Sequence, residues 1–159
     1  MIINLICVGN IKERYWEEAV REYSKRLSSY HKFRIIAVKD EKDPKESSDR
    51  AIAVVKNTEG ERILRNIHPD DYVIALAVEG KQLDSLGFAD FLKHLESEGQ
   101  THLTFIIGGS YGLSDEVMKR ADFSLSFSRL TFPHQLMRAL FTEHRYRACR
   151  INSGQKYHK

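Results

Sequence analysis

The residues best suited to chemistry lie in two loops in the carboxyl-terminal half of the sequence. One is the glycine-rich loop 108–112, with the sequence Gly-Gly-Ser-Tyr-Gly, which follows an apolar run. The other is segment 127–134, with the sequence Phe-Ser-Arg-Leu-Thr-Phe-Pro-His, which opens the most basic helix of the chain. Because glycine lets a backbone approach a ligand closely, and the second segment carries hydroxyl, cationic and imidazole groups, we place the working centre here.

The glycine loop alone leaves two interpretations open. Its GGxxG spacing matches neither the GxGxxG dinucleotide fingerprint nor a P-loop with its GK[ST] ending. A tight strand-to-helix turn is therefore as good an account as a ligand cradle. No acidic residue follows at the distance expected for a ribose clamp, and no lysine is placed to hold a triphosphate. A ligand bound here would rest on backbone hydrogen bonds and apolar walls, which suits an adenosyl group better than a string of phosphates.

His134 and Arg138 lie four residues apart on the last predicted helix, which begins after Pro133. That spacing places them on one helix face beside the second loop. They either line the mouth of a substrate site or are a first-turn histidine beside a solvated arginine, and both interpretations stay open. His144 falls on the inner side of the same helix and is predicted to be a core histidine.

The carboxyl-terminal end concentrates positive charge. From Arg129 onward there are seven cations and one anion, Glu143, so residues 1–128 carry −3 of the whole-chain net charge of +3. This asymmetry predicts a polyanionic partner met by one face. The closing Tyr157-His158-Lys159 is either a frayed end or an aromatic, titratable and cationic group that stacks on and grips a nucleotide.

Metal and disulfide chemistry are poorly supported. The seven histidines show no HxxxH or HxH spacing, and neither cysteine lies near a histidine in sequence. Cys7 and Cys149 form no CxxC pair, so we expect two reduced thiols and no metal.

Strand and helix patterns alternate along the whole length. Strands are predicted over residues 2–8, 33–38, 72–78, 103–107 and 124–127, with helices between them, Ser85 and Ser114 as helix caps, and Gly99 as a helix end. The pattern predicts an α/β fold with a mostly parallel sheet and helices on both faces, in one domain over residues 1–159. The longest apolar run, 73–78, is too short to span a membrane, and we expect a soluble, unexported, cytoplasmic protein.

Ligands of open parallel sheets bind at the carboxyl ends of the strands. Three loops leave such ends in the predicted order: the turn after Val78, the glycine loop 108–112, and segment 127–132. The sequence therefore predicts that these three loops meet at one cleft.

Four motifs give the chain a family resemblance. They are Leu-Ile-Cys-Val-Gly at 5–9, Ile-Gly-Gly-x-x-Gly-Leu-Ser at 107–114, Ser-x-Leu-Thr-x-Pro-His at 128–134, and the Tyr-His pair near the end. With them the sequence resembles, over its whole length, the ribosomal RNA large subunit methyltransferase H family. These are SPOUT-class enzymes that methylate N3 of a pseudouridine in large-subunit RNA.

The resemblance implies a carboxyl-terminal trefoil knot, a homodimer and S-adenosylmethionine as cofactor. It also implies large-subunit ribosomal RNA, on the assembled ribosome, as partner. The cofactor residues that it implies are Leu76, Gly108, Phe127, Ser128, Arg129, Leu130, Thr131 and Phe132. The substrate side that it implies comprises His134, Arg138, Arg150, Tyr157, His158 and Lys159. A bulky residue at Gly108 is expected to enter the adenosyl pocket.

The reaction expected from the resemblance is in-line methyl transfer assisted by loss of the N3 proton. His158 or His134 could take that proton, or cations such as Arg138 or Arg150 could stabilise the anion with no dedicated base. Two other classes of protein share some of these sequence features and stay open as alternatives. A nucleotide-dependent oxidoreductase shares the alternating architecture, and a non-catalytic ribosome-associated protein needs only the basic face.

Overall fold

Five parallel strands form one sheet in the computed structural model, which describes residues 1–159. The sheet order is β2-β1-β4-β3-β5, and every ladder is parallel, so the predicted α/β class and sheet type are confirmed. The strands are β1 (Ile2–Val8), β2 (Lys32–Val38), β3 (Tyr72–Gln82), β4 (His102–Ile107) and β5 (Phe123–Ser126).

The five helices cover the sheet on both faces. They are α1 (Arg14–Leu27), α2 (Asp49–Leu64), α3 (Ser85–Ser97), α4 (Asp115–Arg120) and α5 (His134–Asn152). Successive residues of β1 point to opposite faces, so Leu5 and Cys7 pack with α3 and α5, whereas Ile6 and Val8 pack with α2 and α4. None of the helices has both the length and the apolar character that crossing a bilayer requires.

Side-chain caps set the starts of three helices. Ser48 caps α2, and Ser114 caps α4 as predicted, with its hydroxyl accepting from the Val117 N–H at 3.3 Å. The cap of α3 is Asp84 and not the predicted Ser85, because the Asp84 carboxylate accepts from the Gly87 N–H at 2.7 Å. A carboxylate also suits the positive end of the helix dipole.

Helix α5 buries polar groups that its sequence pattern did not predict. Phe141 and Ala148 are buried as expected, but Arg138 and Arg145 are only 2% and 1% exposed. Two of the seven carboxyl-terminal cations are therefore inside the protein. The interpretation of Arg138 as a solvated arginine is therefore wrong, and Arg145 is buried as well.

Strands β3 and β5 approach each other unusually closely at Gly80. Their ladder pairs Leu76 with Leu125, then shifts register and resumes with Lys81 paired with the same Leu125. At Gly80, between these pairs, a Cβ atom would lie 2.8 Å from the backbone carbonyl carbon and oxygen of Ser124. Only glycine leaves room for this contact, which brings residues 79–82 onto the end of β5.

We expect Gly80→Ala to lower the free energy of unfolding by about 3 kcal/mol, the upper end of the usual range for overpacking, because the methyl group meets backbone that cannot rotate away. Gly99→Ala is the comparison, since Gly99 has φ +84° and open space around it; losing a left-handed glycine there should cost about 1 kcal/mol. Urea unfolding measures both values. Equal losses would show that the Gly80 contact yields easily.

Candidate functional site

A cavity of about 740 Å³ opens at the carboxyl ends of β3, β4 and β5. Its wall contains residues 76–79, 107–113 and 130–134, together with Phe127 and Ser128. Two of these segments are loops that the sequence placed at one edge of a parallel sheet. The third prediction, a turn after Val78, is wrong because β3 continues to Gln82, but residues 76–79 of that strand still line the cavity. The volume lies within the range of small-molecule and cofactor sites, roughly 300–1,000 Å³.

The predicted cofactor residues divide unequally around this cavity. All but one lie in its wall, and Arg129 is exposed outside it. Of the residues predicted for the substrate side, His134 lies in the wall and Arg138 does not. The tail residues Tyr157, His158 and Lys159 do not reach the cavity of their own chain.

The glycine loop is both a tight turn and a cavity wall. The Gly112 N–H donates to the Gly109 carbonyl at 3.0 Å, and Gly112 has φ +85°, a conformation that favours glycine. A Cβ atom on Gly108 would lie 3.0 Å from the Gly112 carbonyl carbon and from the Leu113 Cδ2. A larger residue at Gly108 would therefore contact the loop at its Cβ atom, and the expectation that its side chain enters the pocket stays a prediction.

A buried carboxylate lies behind the glycine loop. Glu59 of α2 is 4% exposed, and its Oε2 accepts from the Glu41 N–H at 3.1 Å. Its Oε1 has no donor and would lie 2.9 Å from a Cβ atom on Gly109. Burial raises the pKa of Glu59, and the nearby Asp40 adds to this effect, whereas the Glu41 N–H and the Arg62 guanidinium oppose it. Glu59 thus packs against the glycine loop, and burying its carboxylate costs electrostatic free energy.

We expect Glu59→Gln to flatten the pH dependence of stability. Between pH 4.5 and the raised pKa, the folded protein holds more protons at this site than the unfolded chain, so the free energy of unfolding falls as pH rises. The glutamine keeps an oxygen for the Glu41 N–H and removes the charge. Urea unfolding from pH 4.5 to 8, with exposed Glu61→Gln as control, should show the difference from the wild type growing with pH. Parallel curves would contradict this account.

Segment 127–132 is ordered by its own side chains. The Ser126 hydroxyl donates to the Ser128 carbonyl at 2.9 Å, and the Ser128 hydroxyl accepts from the Leu130 N–H at 3.0 Å. The Phe127 ring lies 6.0 Å from that of Phe88 and 6.4 Å from that of Phe141, measured between ring centroids. The segment therefore presents a fixed wall built of backbone and apolar groups.

His134 and Arg138 share a helix face but lie in different surroundings. The Arg138 Nη2 donates to the Val8 and Gly9 carbonyls at 2.8 and 2.6 Å, inside the protein. Partial burial lowers the pKa of His134, and the Arg138 and Lys12 charges lower it further, whereas Asp40 opposes them. At neutral pH His134 is therefore an uncharged imidazole in the cavity wall, able to accept a proton.

His144 is half-buried and not enclosed in the core. Its Nδ1 lies 3.0 Å from the Leu140 carbonyl oxygen, and its ring packs 5.4 Å from that of Phe127. It lines a second, smaller cavity beside the main one. Here the prediction of a core histidine is only partly right.

The carboxyl-terminal tail packs onto α5. The Tyr157 hydroxyl donates to Glu143 at 3.0 Å, the Arg147 guanidinium lies 4.9 Å from the centre of the Tyr157 ring, and the His158 Nδ1 is 3.2 Å from Arg147 Nη1. Burial first, and then the hydrogen bond to Glu143, raises the pKa of Tyr157 to about 12. Arg150 is held by Gln155 at 2.6 Å. The interpretation of the tail as a frayed end is therefore wrong for residues 157 and 158.

Several residues of the site carry no signal in the sequence. Lys56 of α2 and Glu79 of β3 reach the cavity wall, but a mid-helix lysine and a charge after an apolar strand are typical of solvated surfaces. Glu59 is buried by loops distant in sequence. No group of three or more His, Cys, Asp or Glu side chains converges to hold a metal ion.

The fold and the cavity define an α/β protein with a ligand site at the carboxyl edge of a parallel sheet. A solved structure described as a probable methylase family protein from Haemophilus influenzae shares this fold, with a TM-score of 0.54, 13% identity, and coverage of 99% of this chain and 70% of that one. The family model described as "Predicted SPOUT methyltransferase" matches residues 1–158.

The curated relatives are more specific. Proteins named ribosomal RNA large subunit methyltransferase H from Exiguobacterium sp. and Bifidobacterium adolescentis are each 52% identical over 159 residues, and one from Bacillus pumilus is 51% identical. The match covers 100% of this chain and of each relative. The chain belongs to the SPOUT methyltransferases and, within them, to the ribosomal RNA large subunit methyltransferase H family, which confirms the resemblance seen in its motifs.

Proposed function

We propose that the protein is an S-adenosylmethionine-dependent methyltransferase that methylates N3 of a pseudouridine in large-subunit ribosomal RNA, on the assembled ribosome in the cytoplasm. The observation that carries the proposal is the cavity of about 740 Å³ at the carboxyl edge of the sheet, with seven of the eight residues implied by the family resemblance in its wall. The names of the full-length relatives support an RNA substrate.

The cavity wall fits an adenosyl group. Leu76, Leu125 and Phe127 supply apolar surface, and the loops at 108–112 and 127–132 supply backbone donors and acceptors. The helix that follows the glycine loop, α4, has only six residues, and the wall carries no pair of cations that would hold a diphosphate. When bound, the cofactor supplies an activated sulfonium methyl group, so the protein mainly has to align donor and acceptor and assist loss of the N3 proton.

His134 is the proton acceptor best placed for this reaction. It lies in the cavity wall, and its lowered pKa keeps the imidazole free to accept at neutral pH. Arg138 is buried behind it and acts through its charge, by keeping His134 neutral and by fixing the start of α5. His158 would have to approach the cavity from elsewhere, because its own chain holds it against Arg147.

The proposal includes a homodimer and a knotted carboxyl-terminal half. Two large apolar side chains in the cavity wall, Leu130 and Phe132, are exposed, and a second copy of the chain would cover them. The chain leaves β5 at one edge of the sheet and returns through 127–133 to the end of β1, where α5 is anchored. The return path and the close contact at Gly80 support a trefoil crossing.

The proposed activity is tested by methyl transfer from radiolabelled S-adenosylmethionine. Wild-type protein should bind the cofactor by calorimetry and methylate assembled ribosomes faster than isolated subunits or bare RNA. His134→Gln should lower the transfer rate about 100-fold, the usual size of a general-base contribution, with little change in cofactor affinity. His94→Gln, an exposed histidine on α3, is the control. Binding of NAD⁺ in place of S-adenosylmethionine would overturn the proposal.

The homodimer is tested by sedimentation at micromolar concentration. We expect a species of twice the 18.5 kDa chain mass that persists on dilution, because uncovering the apolar residues at the mouth would be unfavourable. Leu130→Asp should shift the protein toward the single-chain mass, and Phe132→Asp serves as a second probe of the same surface. A wild-type protein that sediments only at 18.5 kDa would contradict the dimer.

A further inference from the structure

The cavity proposed for the cofactor has two ionised side chains in its wall, and they carry opposite charge. Lys56 projects from α2, and Glu79 lies in β3 at the register shift beside Gly80. The other titratable groups in the wall are His134, whose pKa is lowered, and Tyr111, whose pKa is raised chiefly by burial. Both of these are uncharged at neutral pH, so the wall carries one positive and one negative charge.

Neither charge is satisfied within the protein. Lys56 and Glu79 take part in no salt bridge, either with each other or with another residue, although both line the same cavity. They also make no side-chain hydrogen bond. Two opposite charges in the wall of one cavity that are not paired with each other suit a ligand group that itself carries both signs.

We infer that Glu79 and Lys56 bind the two ends of a zwitterionic α-amino acid group, Glu79 the ammonium and Lys56 the carboxylate. The inference rests on the proposed function, because the methionyl end of S-adenosylmethionine is such a group. The backbone loops hold the adenosyl part and cannot distinguish ligands that differ only beyond the sulfur. The charge pair therefore sets the preference for a ligand that keeps its amino acid end.

The expected size of this preference for a ligand with an amino acid end depends on how exposed the two charged side chains are. Glu79 is exposed and Lys56 is half-buried. Ionic hydrogen bonds in such positions are partly screened by water, so each should contribute about tenfold in affinity, and less at high salt.

The test compares two stable ligands by calorimetry. S-adenosylhomocysteine keeps the amino acid group, and 5′-methylthioadenosine has the same adenosyl and sulfur atoms without it. We expect Glu79→Gln and Lys56→Met each to weaken S-adenosylhomocysteine binding about tenfold and to leave 5′-methylthioadenosine binding unchanged. Asp90→Asn and Lys93→Met, exposed on α3 and outside the cavity, are the matched controls and should change neither.

Each outcome separates the inference from the proposed function. If the wild type binds both ligands equally, or if the variants bind S-adenosylhomocysteine as tightly as the wild type, the cofactor site stands and the charge-pair inference fails. If a variant loses affinity for both ligands in equal measure, its effect is on the shape of the cavity and the inference also fails. If the wild type binds neither ligand, the proposed function fails and the inference falls with it. Thermal unfolding of each variant shows whether it is folded.

Discussion

A buried guanidinium holds the start of α5 against the end of β1, and the geometry of the cavity depends on that contact. Arg138 donates to the carbonyls of Val8, the last residue of β1, and of Gly9, which follows it. Removing a charge from water costs several kcal/mol, and the two carbonyls offset part of that cost for Arg138, whose Nε has no partner. A second clamp lies beside it, where the Gln135 side chain accepts from the N–H groups of Lys12 and Glu13. Together they fix the first turn of α5, and with it the position of His134 in the cavity wall.

Burial sets the protonation states of two groups near this cation, and the Arg138 charge modifies both. Burial raises the pKa of Cys7 to about 12, and Arg138 only partly offsets this, so the thiol stays protonated and inert. For His134, burial and the Arg138 charge act in the same direction, because both disfavour the imidazolium and lower the pKa. Arg138, which the sequence suggested as a substrate contact, therefore lies behind the cavity wall and does not face the cavity. It supports and tunes the histidine that faces the cavity.

The sheet and two of the three loops could be predicted because their signals are local: apolar runs mark the strands, glycines mark the turns, and parallel order gathers the loops at one edge. The placement of α5 could not be predicted from the sequence. The carbonyls that accept from Arg138 lie about 130 positions away, and an arginine between apolar residues is usually solvated. Arg145 makes the point more sharply. It is fully buried, two of its nitrogens have no partner, and burial lowers its pKa, with nothing in its neighbouring sequence to announce this.

The internal position of these two arginines changes where a polyanion can bind. The outward-facing cations of the carboxyl-terminal region are Arg129 beside the cavity and the group around the tail, where Arg147 is largely neutralised by Glu143. In this chain the tail lies along α5 and away from the cavity. To act there, His158 must either leave α5 or belong to a second copy. Leaving would break the Tyr157 hydrogen bond to Glu143 and its packing against Tyr146, whereas a second copy keeps both. The packing of the tail therefore disfavours closure of the cavity by the terminus of the same chain.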